Sequence, residues 1–483
     1  MFILAIDQGT TGTTSVIFDD KNRVVKKAYR EFMQIYPQPG WVEHNPLEIW
    51  ETVEDTVADL LTGFTGKISA VGLTNQRETT VLWDKTTGKP VHNAIVWQCR
   101  RTARICEEFR SHEKTIREKT GLPLDPYFSG TKLKWLLENQ NDRPIENLIF
   151  GTIDTWLIWK LTNGEVHATD YTNASRTMLF NIKEKIWDRD LLDLFGIPDS
   201  LLPEVKNSAD DYGKIKSIPG LEDIPVCGVA GDQHAALFGQ KCFTTGQAKN
   251  TYGTGCFLLV NTGANLIHTA SGLLTTLAVD GQGRPCYALE GSIFIAGAVI
   301  QWLRDELRII TDAGETENAA LSVGDNGGVY FVPAFVGLGA PHWDSKARGT
   351  ITGLTRGSTR DHIIRAALES MAYQTYDVIN IMEKEAGIQI DRLSVDGGAT
   401  VNEFLMQFQA DILNRTVARP AMAELTALGA GTIAGLQFGI WKDVDELLSY
   451  RGTEKIYTPA MHDAYREKLL AGWQQAVRKT RTE

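Results

Sequence analysis

The stretch FILAIDQGTT, residues 2–11, decides how the rest of the sequence is interpreted. Residues 2–6 form a short apolar run that predicts a buried strand, and this strand leads through Asp7 into a Gly-Thr-Thr turn. Such a turn suits phosphate, because glycine lets the backbone approach closely, NH and hydroxyl groups donate to the oxygens, and the carboxylate can hold hydrated Mg²⁺. The alternative is an Asx turn between two hairpin strands, since a β-rich run follows at residues 13–18.

Two similar turns occur in the second half of the chain. The tripeptide GTG at residues 253–255 interrupts a predicted strand pair at residues 250–261, and DGG at residues 396–398 lies between a short strand and a helix that starts at Asn402. Each turn could hold a phosphate or a ribose against the backbone, and each could also be an ordinary bulged hairpin or strand–helix turn. Because strand–turn motifs of this kind recur in separate halves, we predict two α/β domains of related build around one cleft, with a boundary near residues 238–241.

Hydrophobic periodicity predicts the elements that carry these turns. Antiparallel strands form a meander through residues 2–31, and a helix follows for which Asn45 is the N-cap and Glu48 completes a capping box. A long helix covers residues 361–386 with its apolar side chains on one stripe, and Gly387 ends it. This mixture of strands and helices is typical of the α/β class.

Composition argues against several classes of protein. The chain has 483 residues and a formal net charge of −11, from 49 Lys and Arg against 60 Asp and Glu, so it is a poor candidate for binding nucleic acid. The six cysteines form no CxxC pair, which favours free thiols in a reducing compartment and offers no zinc site. Apolar runs stay well below the roughly 20 residues of a membrane helix, and the start does not resemble a signal peptide, so we expect a cytoplasmic protein without membrane insertion.

Two polar motifs at predicted strand ends indicate where a second substrate would bind. In NQRETT, residues 75–80, Arg77 and Glu78 offer a donor fork beside an acceptor, which suits a neutral polyol because each hydroxyl both donates and accepts. Asp232 follows the apolar residues 227–230 and is placed like a general base for a hydroxyl. The alternatives are a surface ion pair for Arg77 and Glu78, and a helix-capping role for Asp232.

Taken together, the motifs of the chain resemble those of the FGGY family of carbohydrate kinases. The matches run in the family's order from residue 5 to beyond residue 430, and NQRE together with WVEHNP is similar to the glycerol branch rather than to the xylulose or gluconate branches. The motifs that carry the resemblance are DQGTT (7–11), PGWVEHNP (39–46), NQRETT (75–80), WQCRR (97–101), DPYFSGTK (125–132), GTIDTWLIW (151–159), DYTNASRT (170–177), AGDQ (230–233), NTYGTGCF (250–257), GLGAPHWD (337–344) and GTITGL (349–354) with His362 and Glu369.

The resemblance implies an α/β fold of two ribonuclease-H-like domains, of the actin and hexokinase ATPase type, around a central cleft. Residues 1–240 would bind mainly the polyol and carry one phosphate loop, and residues 241–483 would bind mainly the nucleotide. The implied reaction transfers the γ-phosphoryl group of ATP to a terminal hydroxyl of glycerol, giving sn-glycerol 3-phosphate and ADP, with Mg²⁺ as the metal. The resemblance also implies a homo-oligomer, either a dimer or a tetramer.

The resemblance further assigns roles to residues at matching positions. Asp232 would be the catalytic base and, with Asp7, would lie near Mg²⁺. Taken one at a time, the aromatic residues among the polyol-binding candidates are more typical of core residues. The polyol would be bound by Arg77, Glu78, Trp97, Tyr127, Asp232, Gln233 and Phe257, and the nucleotide by Thr10, Thr11, Gly12, Thr254, Gly297, Gln301, Gly398 and Asn402.

The sequence departs from the family's pattern at three places. Thr14 stands where the family often has an arginine near the phosphates, and His234 stands where glutamine is common. The loop at residues 214–223 lacks the glycine-rich basic sequence of members inhibited by fructose 1,6-bisphosphate, and it lacks the histidine of members activated by phosphorylation. We therefore expect neither control to operate in this chain.

Other functions fit part of the sequence. A related kinase could act on a pentose or a longer polyol, and a filament or chaperone ATPase could share the phosphate turns without the site at Arg77 and Glu78. A dinucleotide-dependent redox enzyme is disfavoured because the sequence has no G-x-G-x-x-G fingerprint, and it has no Walker A motif either.

Overall fold

The structure of the chain is a computed structural model that describes residues 1–140, 143–450 and 452–482. Within those ranges the strands are β1 Phe2–Gln8, β2 Gly12–Asp19, β3 Val24–Glu31, β4 Glu43–His44, β5 Ile68–Asn75, β6 Val81–Asp84, β7 Ala94–Ile95, β8 Leu148–Gly151, β9 Ala168–Asp170, β10 Phe180–Asn181, β11 Ile186–Trp187, β12 Glu204–Lys206, β13 Val226–Gly231, β14 Ala248–Tyr252, β15 Cys256–Gly263, β16 Leu274–Val279, β17 Pro285–Ile293, β18 Tyr330–Val332, β19 Thr350–Thr352, β20 Arg392–Asp396, β21 Thr416–Pro420 and β22 Glu454–Tyr457.

The α-helices in the same ranges are α1 Pro46–Leu61, α2 Ala103–Glu108, α3 Glu113–Thr120, α4 Ser129–Glu138, α5 Ile153–Leu161, α6 Tyr171–Ala174, α7 Arg189–Phe195, α8 Asp232–Gly239, α9 Gly297–Asp305, α10 Glu315–Ser322, α11 Arg360–Ala386, α12 Glu403–Leu413, α13 Leu425–Phe438, α14 Val444–Ser449 and α15 Asp463–Thr480. Short 3₁₀ helices cover Arg110–His112, Ile145–Asn147, Asp199–Leu201 and Gly398–Val401.

The first sheet is built from N-terminal strands in the order β13-β5-β1-β2-β3. β1, β2 and β3 form the antiparallel meander that the sequence predicted, and β5 and β13 extend the sheet as parallel strands on the other side of β1. β1 is central and carries buried apolar side chains, of which Leu4 and Ile6 share one core with Ile49 of α1. Asp7 therefore lies near the C-terminal end of the central strand, the edge at which open α/β sheets bind ligands.

The second sheet repeats this pattern in the order β16-β17-β15-β14-β20-β21-β22. β14, β15 and β17 are antiparallel, and β20 and β21 continue from β14 as parallel strands. β14 thus takes the place that β1 takes in the first sheet. The GTG turn after β14 corresponds to the DQGTT turn after β1, and the predicted α/β class with two units of related build is confirmed.

Most of the local predictions for the helices are confirmed, and one is wrong. Asn45 caps α1, with its side chain accepting from the Leu47 N–H, and α11 ends at Gly387 in a left-handed conformation with φ of 62°. Glu48, however, does not complete a capping box. Its carboxylate accepts from the backbone N–H of Met33 at 2.8 Å, because the segment after β3 passes over the start of the helix.

Helix α13 belongs to the second half of the chain but packs on the first sheet and on α8, and glycines allow the close approach. A Cβ added at Gly72 of β5 would lie 2.2 Å from the carbonyl oxygen of Ala430 in α13. A Cβ added at Gly429 of α13 would lie 1.9 Å from the carbonyl oxygen of Ala235 in α8. Since real Cβ atoms do not come this close to backbone, these positions require glycine for the two halves to dock.

The cysteines are buried and unpaired, and no helix within the described ranges is long and apolar enough to cross a bilayer. Burial raises the pKa of the Cys227 thiol to about 11 and that of Cys106 to about 12. These thiols are therefore neutral at physiological pH and are poor nucleophiles.

Candidate active site

The turn after β1 is closed by its own backbone and held by side chains from other parts of the chain. The N–H of Gly9 donates to the carbonyl of Gly12 at 2.9 Å and closes the turn. The indole N–H of Trp97 donates to the Thr10 hydroxyl at 3.0 Å, and the Gln34 amide donates to the Thr10 carbonyl at 3.0 Å. A phosphate-binding turn needs this kind of support, because its donors must be fixed before the ligand arrives.

His44 in the WVEHNP motif supports the same turn from behind. Its imidazole Nε2 lies 2.8 Å from the Gln34 side-chain oxygen, so it holds the amide that bonds Thr10. Burial lowers the pKa of His44 to about 4, which keeps the ring neutral. Neither Gln34 nor His44 was assigned a role from the sequence.

Thr11 and Gly12 complete the turn, and they differ in what they offer a ligand. Thr11 is exposed at the tip, while Gly12 begins β2 and is buried. A Cβ on Gly12 would lie 2.5 Å from the carbonyl oxygen of Arg30 in β3, so packing against the next strand is enough to require glycine there.

Asp7 has a carboxylate without any hydrogen bond or ion pair in the part of the chain that the structure describes. Thr14 pairs with Asp7 across β1 and β2, so the neighbouring position on the same face supplies no positive charge. Burial, together with a smaller contribution from the nearby Asp232 carboxylate, raises the pKa of Asp7 to about 7. An unneutralised carboxylate beside a second one is an arrangement that favours a bound cation.

Arg77 and Asp232 are in direct contact. Arg77 follows β5, and its Nε lies 3.0 Å from Asp232 Oδ1 at the start of α8. Asp232 Oδ1 also accepts from the Gln233 N–H at 2.7 Å, whereas Oδ2 has no partner among the described residues. The Asp232 side chain is 32% exposed, so the free oxygen remains accessible.

Glu78 has an uncommon backbone conformation for a residue that is not glycine, with φ of 61°. Its carbonyl accepts three hydrogen bonds, from the Thr80 hydroxyl at 3.0 Å, the Ser129 hydroxyl at 3.0 Å and Lys132 Nζ at 3.1 Å. Lys132 also donates to the carbonyl of Tyr127 at 2.5 Å. The SGTK part of the DPYFSGTK motif therefore holds both Glu78 and Tyr127 in place, a role that the sequence analysis missed.

Gln233 is held by a buried lysine that was also missed. Lys249 Nζ on β14 donates to the Gln233 side-chain oxygen and, at 2.8 Å, to the hydroxyl of Thr251. Burial lowers the pKa of Lys249 to about 8, opposed by the carboxylates of Asp396 and Asp232. Since its side-chain oxygen accepts from Lys249, Gln233 can present its NH₂ group to a ligand.

Two of the three aromatic candidates contact each other, and the third lies in the second half of the chain. The rings of Trp97 and Tyr127 meet edge to face with centroids 5.5 Å apart, and both side chains are half-buried. Phe257 is on β15 in the second half, opposite Thr251 and Ser292 in register, and is also half-buried. Incomplete burial distinguishes all three from ordinary core aromatics.

Two of the candidate nucleotide residues meet at the GTG turn. The N–H of Gly297, the first residue of α9, donates to the carbonyl of Gly253 at 3.0 Å, and the Ala298 N–H donates to the carbonyl of Thr254 at 3.1 Å. A Cβ on Gly297 would lie 2.6 Å from the Gly253 oxygen, so glycine is needed for this approach. Gln301 is exposed one turn further along α9.

The DGG turn packs on the end of β14. Gly397 has φ of 94°, and a Cβ there would lie 2.3 Å from the carbonyl oxygen of Tyr252. Gly398 follows it and is exposed. Asn402 caps α12 by accepting from the Leu405 N–H at 2.8 Å, and its NH₂ donates to the Thr316 hydroxyl at 3.2 Å, so its side chain already has structural partners.

The chain matches two family models that are specific for one group of enzymes. The model of the N-terminal domain of the FGGY family of carbohydrate kinases matches residues 2–239, and the model of the C-terminal domain matches residues 248–438. The chain belongs to the FGGY family of carbohydrate kinases. It is therefore an ATP-dependent kinase with the actin and hexokinase type of fold.

Several relatives of this FGGY kinase are similar over nearly their whole length. The chain is 58% identical to a glycerol kinase of Clostridium botulinum strain 657 over 487 aligned positions, which cover 99% of this chain and 98% of the relative. It is 57% identical to a glycerol kinase of Petrotoga mobilis and 56% identical to glycerol kinase 2 of Thermotoga maritima, with the same coverage.

Solved structures agree with this assignment. The structure of Plasmodium falciparum glycerol kinase with ADP has a TM-score of 0.95 and 38% sequence identity, and the comparison covers 100% of this chain and 98% of that one. A ligand-bound xylulose kinase of Lactobacillus acidophilus has a TM-score of 0.87 at 23% identity, covering 99% and 96%, which shows the shared fold alone.

Two further residues of this FGGY kinase belong to the site although no role was predicted for them. Arg176 is in the DYTNASRT motif, and its Nε lies 2.5 Å from Oε1 of Glu78. Glu290 is on β17, and its Oε2 lies 2.6 Å from Nη1 of Arg77. Neither side chain stands next to its partner in sequence, so local patterns could not reveal them.

Proposed function

We propose that this FGGY kinase transfers the γ-phosphoryl group of ATP to a terminal hydroxyl of glycerol, giving sn-glycerol 3-phosphate and ADP. The observation that supports it most is the meeting of Arg77, Glu78 and Asp232. Arg77 Nε lies 3.0 Å from Asp232 and 4.0 Å from Glu78, and the half-buried Tyr127 is held by the same Lys132 that binds the Glu78 carbonyl. A small neutral polyol needs donors, acceptors and an apolar wall at this spacing.

Asp232 would orient the attacking hydroxyl and accept its proton. Its Oδ1 is held by Arg77 and by the Gln233 N–H, which would leave Oδ2 for the substrate. Phosphoryl transfer passes through a loose transition state, so most of the catalysis would come from positioning and from neutralising charge on the transferred group. Arg77, Glu78, Gln233, Trp97, Tyr127 and Phe257 would bind the polyol.

The residues present fit a Mg²⁺ ion carried in with the nucleotide. The described ranges contain no group of three or more protein ligands that could form a complete metal site, but Mg²⁺ typically uses one or two carboxylates plus substrate phosphates. Asp7 and Asp232 would be those carboxylates, and among the described residues Asp7 forms no ion pair that would compete with the metal. When bound, the ion would supply positive charge to the phosphates.

The nucleotide would lie along the three glycine turns. Thr10, Thr11 and Gly12 would contact the phosphates from the first sheet, and Thr254 with Gly297 would do so from the second. Gly398, Gln301 and Asn402 would hold the nucleoside end. Exposure of Thr11, Thr254, Gln301 and Gly398 supports this placement, because a ligand must reach them.

We further infer a division into residues 1–240, mainly for the polyol, and residues 241–483, mainly for the nucleotide. The strands of the first sheet lie between residues 2 and 231, and those of the second between residues 248 and 457, which supports it. We also expect a dimer or tetramer, which size-exclusion chromatography with light scattering would measure.

Glycerol-dependent release of ADP from MgATP tests the proposed function. The purified protein is assayed with glycerol, with xylulose, gluconate and longer polyols, and without any acceptor, and the phosphorylated product is identified by mass spectrometry. We expect sn-glycerol 3-phosphate from glycerol and little turnover otherwise. Equal or faster turnover of a pentose, or acceptor-independent hydrolysis, would contradict the proposal.

A further inference from the structure

The polyol-binding pair Arg77 and Glu78 is part of a larger buried ring of charge. Arg77 binds Glu290 through two bonds, at 2.6 Å and 3.3 Å, and Glu290 binds Arg176 Nη2 at 3.1 Å. Arg176 in turn lies 2.5 Å from Glu78, which is 4.0 Å from Arg77. The four side chains are at most 2% exposed, so their charges must neutralise one another.

We propose that Glu290 is a positioning residue for polyol binding and phosphoryl transfer, acting through Arg77. This inference rests on the proposed function. Glu290 touches neither Asp232 nor Glu78 in the described contacts, but it occupies both terminal nitrogens of Arg77. The third nitrogen, Nε, binds Asp232. The guanidinium is thus fixed from two sides, and a shift of Glu290 would move both the polyol donor and the base.

The bonds to Glu290 and Asp232 limit how many N–H groups of Arg77 remain for a ligand. A guanidinium has five N–H groups in a rigid plane. Two of those on Arg77 point to Glu290 and one to Asp232, which leaves two for substrate hydroxyls. Without the Glu290 carboxylate, Arg77 could rotate toward Glu78 or Asp232, and its free N–H groups would no longer have a fixed direction.

Glu290 also makes the second half of the chain part of the polyol site. It is on β17, paired with β15 and β16, whereas Arg77, Glu78 and Arg176 all belong to the first half. Both guanidinium groups of the first half therefore converge on one carboxylate of the second. Attraction between two arginines and this carboxylate holds its pKa near 2 despite burial, so it is ionised throughout the working pH range.

Glu290→Gln tests the inference, since glutamine keeps the shape but removes the charge. The matched control is Glu369→Gln, another buried glutamate of the second half, whose arginine partner is Arg365 and which contacts none of the site residues. We expect Glu290→Gln to raise KM and the calorimetric Kd for glycerol at least tenfold and to lower kcat, while KM for ATP stays within twofold. Glu369→Gln should lower only the melting temperature.

The result that overturns the inference is a folded Glu290→Gln with KM for glycerol within twofold of the wild type. If Glu290→Gln does not fold, the KM of Glu290→Asp for glycerol tests the inference instead. Aspartate keeps the charge but withdraws it from Arg77, so an increase of at least threefold in KM for glycerol supports the positioning role, and an unchanged KM overturns it. Wild-type turnover of glycerol tests the proposed function separately, because it involves no variant.

Discussion

Substituting Gly429 by alanine should weaken both the fold and the activity. The added Cβ would lie 1.9 Å from the carbonyl oxygen of Ala235, whereas real Cβ contacts stay above 3.0 Å, so helices α13 and α8 must separate by about 1.1 Å there. Overpacking of this kind costs about 1–3 kcal/mol. Alanine regains about 1 kcal/mol over glycine in helix propensity. Because the group that the Cβ meets is a backbone carbonyl, which cannot rotate away, we expect the upper end of this cost and a net loss of about 2 kcal/mol.

The activity should fall because α8 starts at Asp232, one turn from Ala235. A misplacement of about 1 Å near reacting groups can cost up to about 10²-fold in rate. We expect kcat/KM for glycerol to fall about 10-fold to 10²-fold in Gly429→Ala, with a melting temperature a few degrees lower by differential scanning calorimetry.

The matched control is Gly324→Ala, where an added Cβ would meet no atom within 4 Å and φ is not positive. Its melting temperature and kcat/KM should stay close to those of the wild type. Wild-type values of both quantities in Gly429→Ala would refute the steric reasoning, because they would mean that the two helices can separate without cost.

Three further predictions concern the candidate active site and the 214–223 loop. In buffer with EDTA, Asp7→Asn should raise the melting temperature at pH 8 but hardly at pH 4. The pKa of Asp7 is raised from 3.8 to about 7, so the wild type loses stability as the pH rises from about 4 to 7, and the loss is complete at pH 8. A lower melting temperature of the variant at pH 8 would contradict this. Asp232→Asn should lower kcat by about 10²–10⁴, and near-normal kcat would remove Asp232 as the base. Fructose 1,6-bisphosphate should not inhibit, because the 214–223 loop lacks the glycine-rich basic sequence of the inhibited members and anchors the apolar side chains of Ile218 and Leu221 in the protein interior. Tight binding by calorimetry would refute this expectation.

The structure also changes what is expected of Arg77. From the sequence, an arginine that only grips hydroxyls should affect mainly KM when replaced. Its contact with Asp232 adds a second effect, because loss of the guanidinium frees the base to change orientation. Arg77→Ala should therefore lower kcat as well as raise KM, which steady-state kinetics with varied glycerol would measure.

The sequence was a good guide wherever a short segment decides its own conformation. The strand and turn at residues 2–11, the Asn45 cap, the helix start near Asn402 and the end of α11 at Gly387 all depend on neighbours within a few residues. The Glu48 capping box failed for the opposite reason, since Met33 lies 15 residues away and offered its N–H to the same carboxylate.

The polar partners of the site could not be predicted from the sequence, because they are distant along the chain. Glu290 is 213 residues from Arg77, and Arg176 is 98 residues from Glu78. Glu290 stands in an apolar strand, and from sequence such a residue looks like any other strand position. Only the pairing of β17 with its neighbours, which sets the face on which the carboxylate emerges, brings it to Arg77.

Because α13 packs on the first sheet, the two halves of this enzyme are not independent folding units. A polypeptide ending at residue 240 would lack the helix that covers β5 and β13, and would leave that sheet face bare to water. Exchanging C-terminal halves between related kinases would meet the same obstacle, because the backbone of the foreign helix must pack directly against Gly72, where there is no space for a Cβ atom. Gene fragments cut at the apparent midpoint should therefore give aggregates, and co-expression of both pieces should restore solubility.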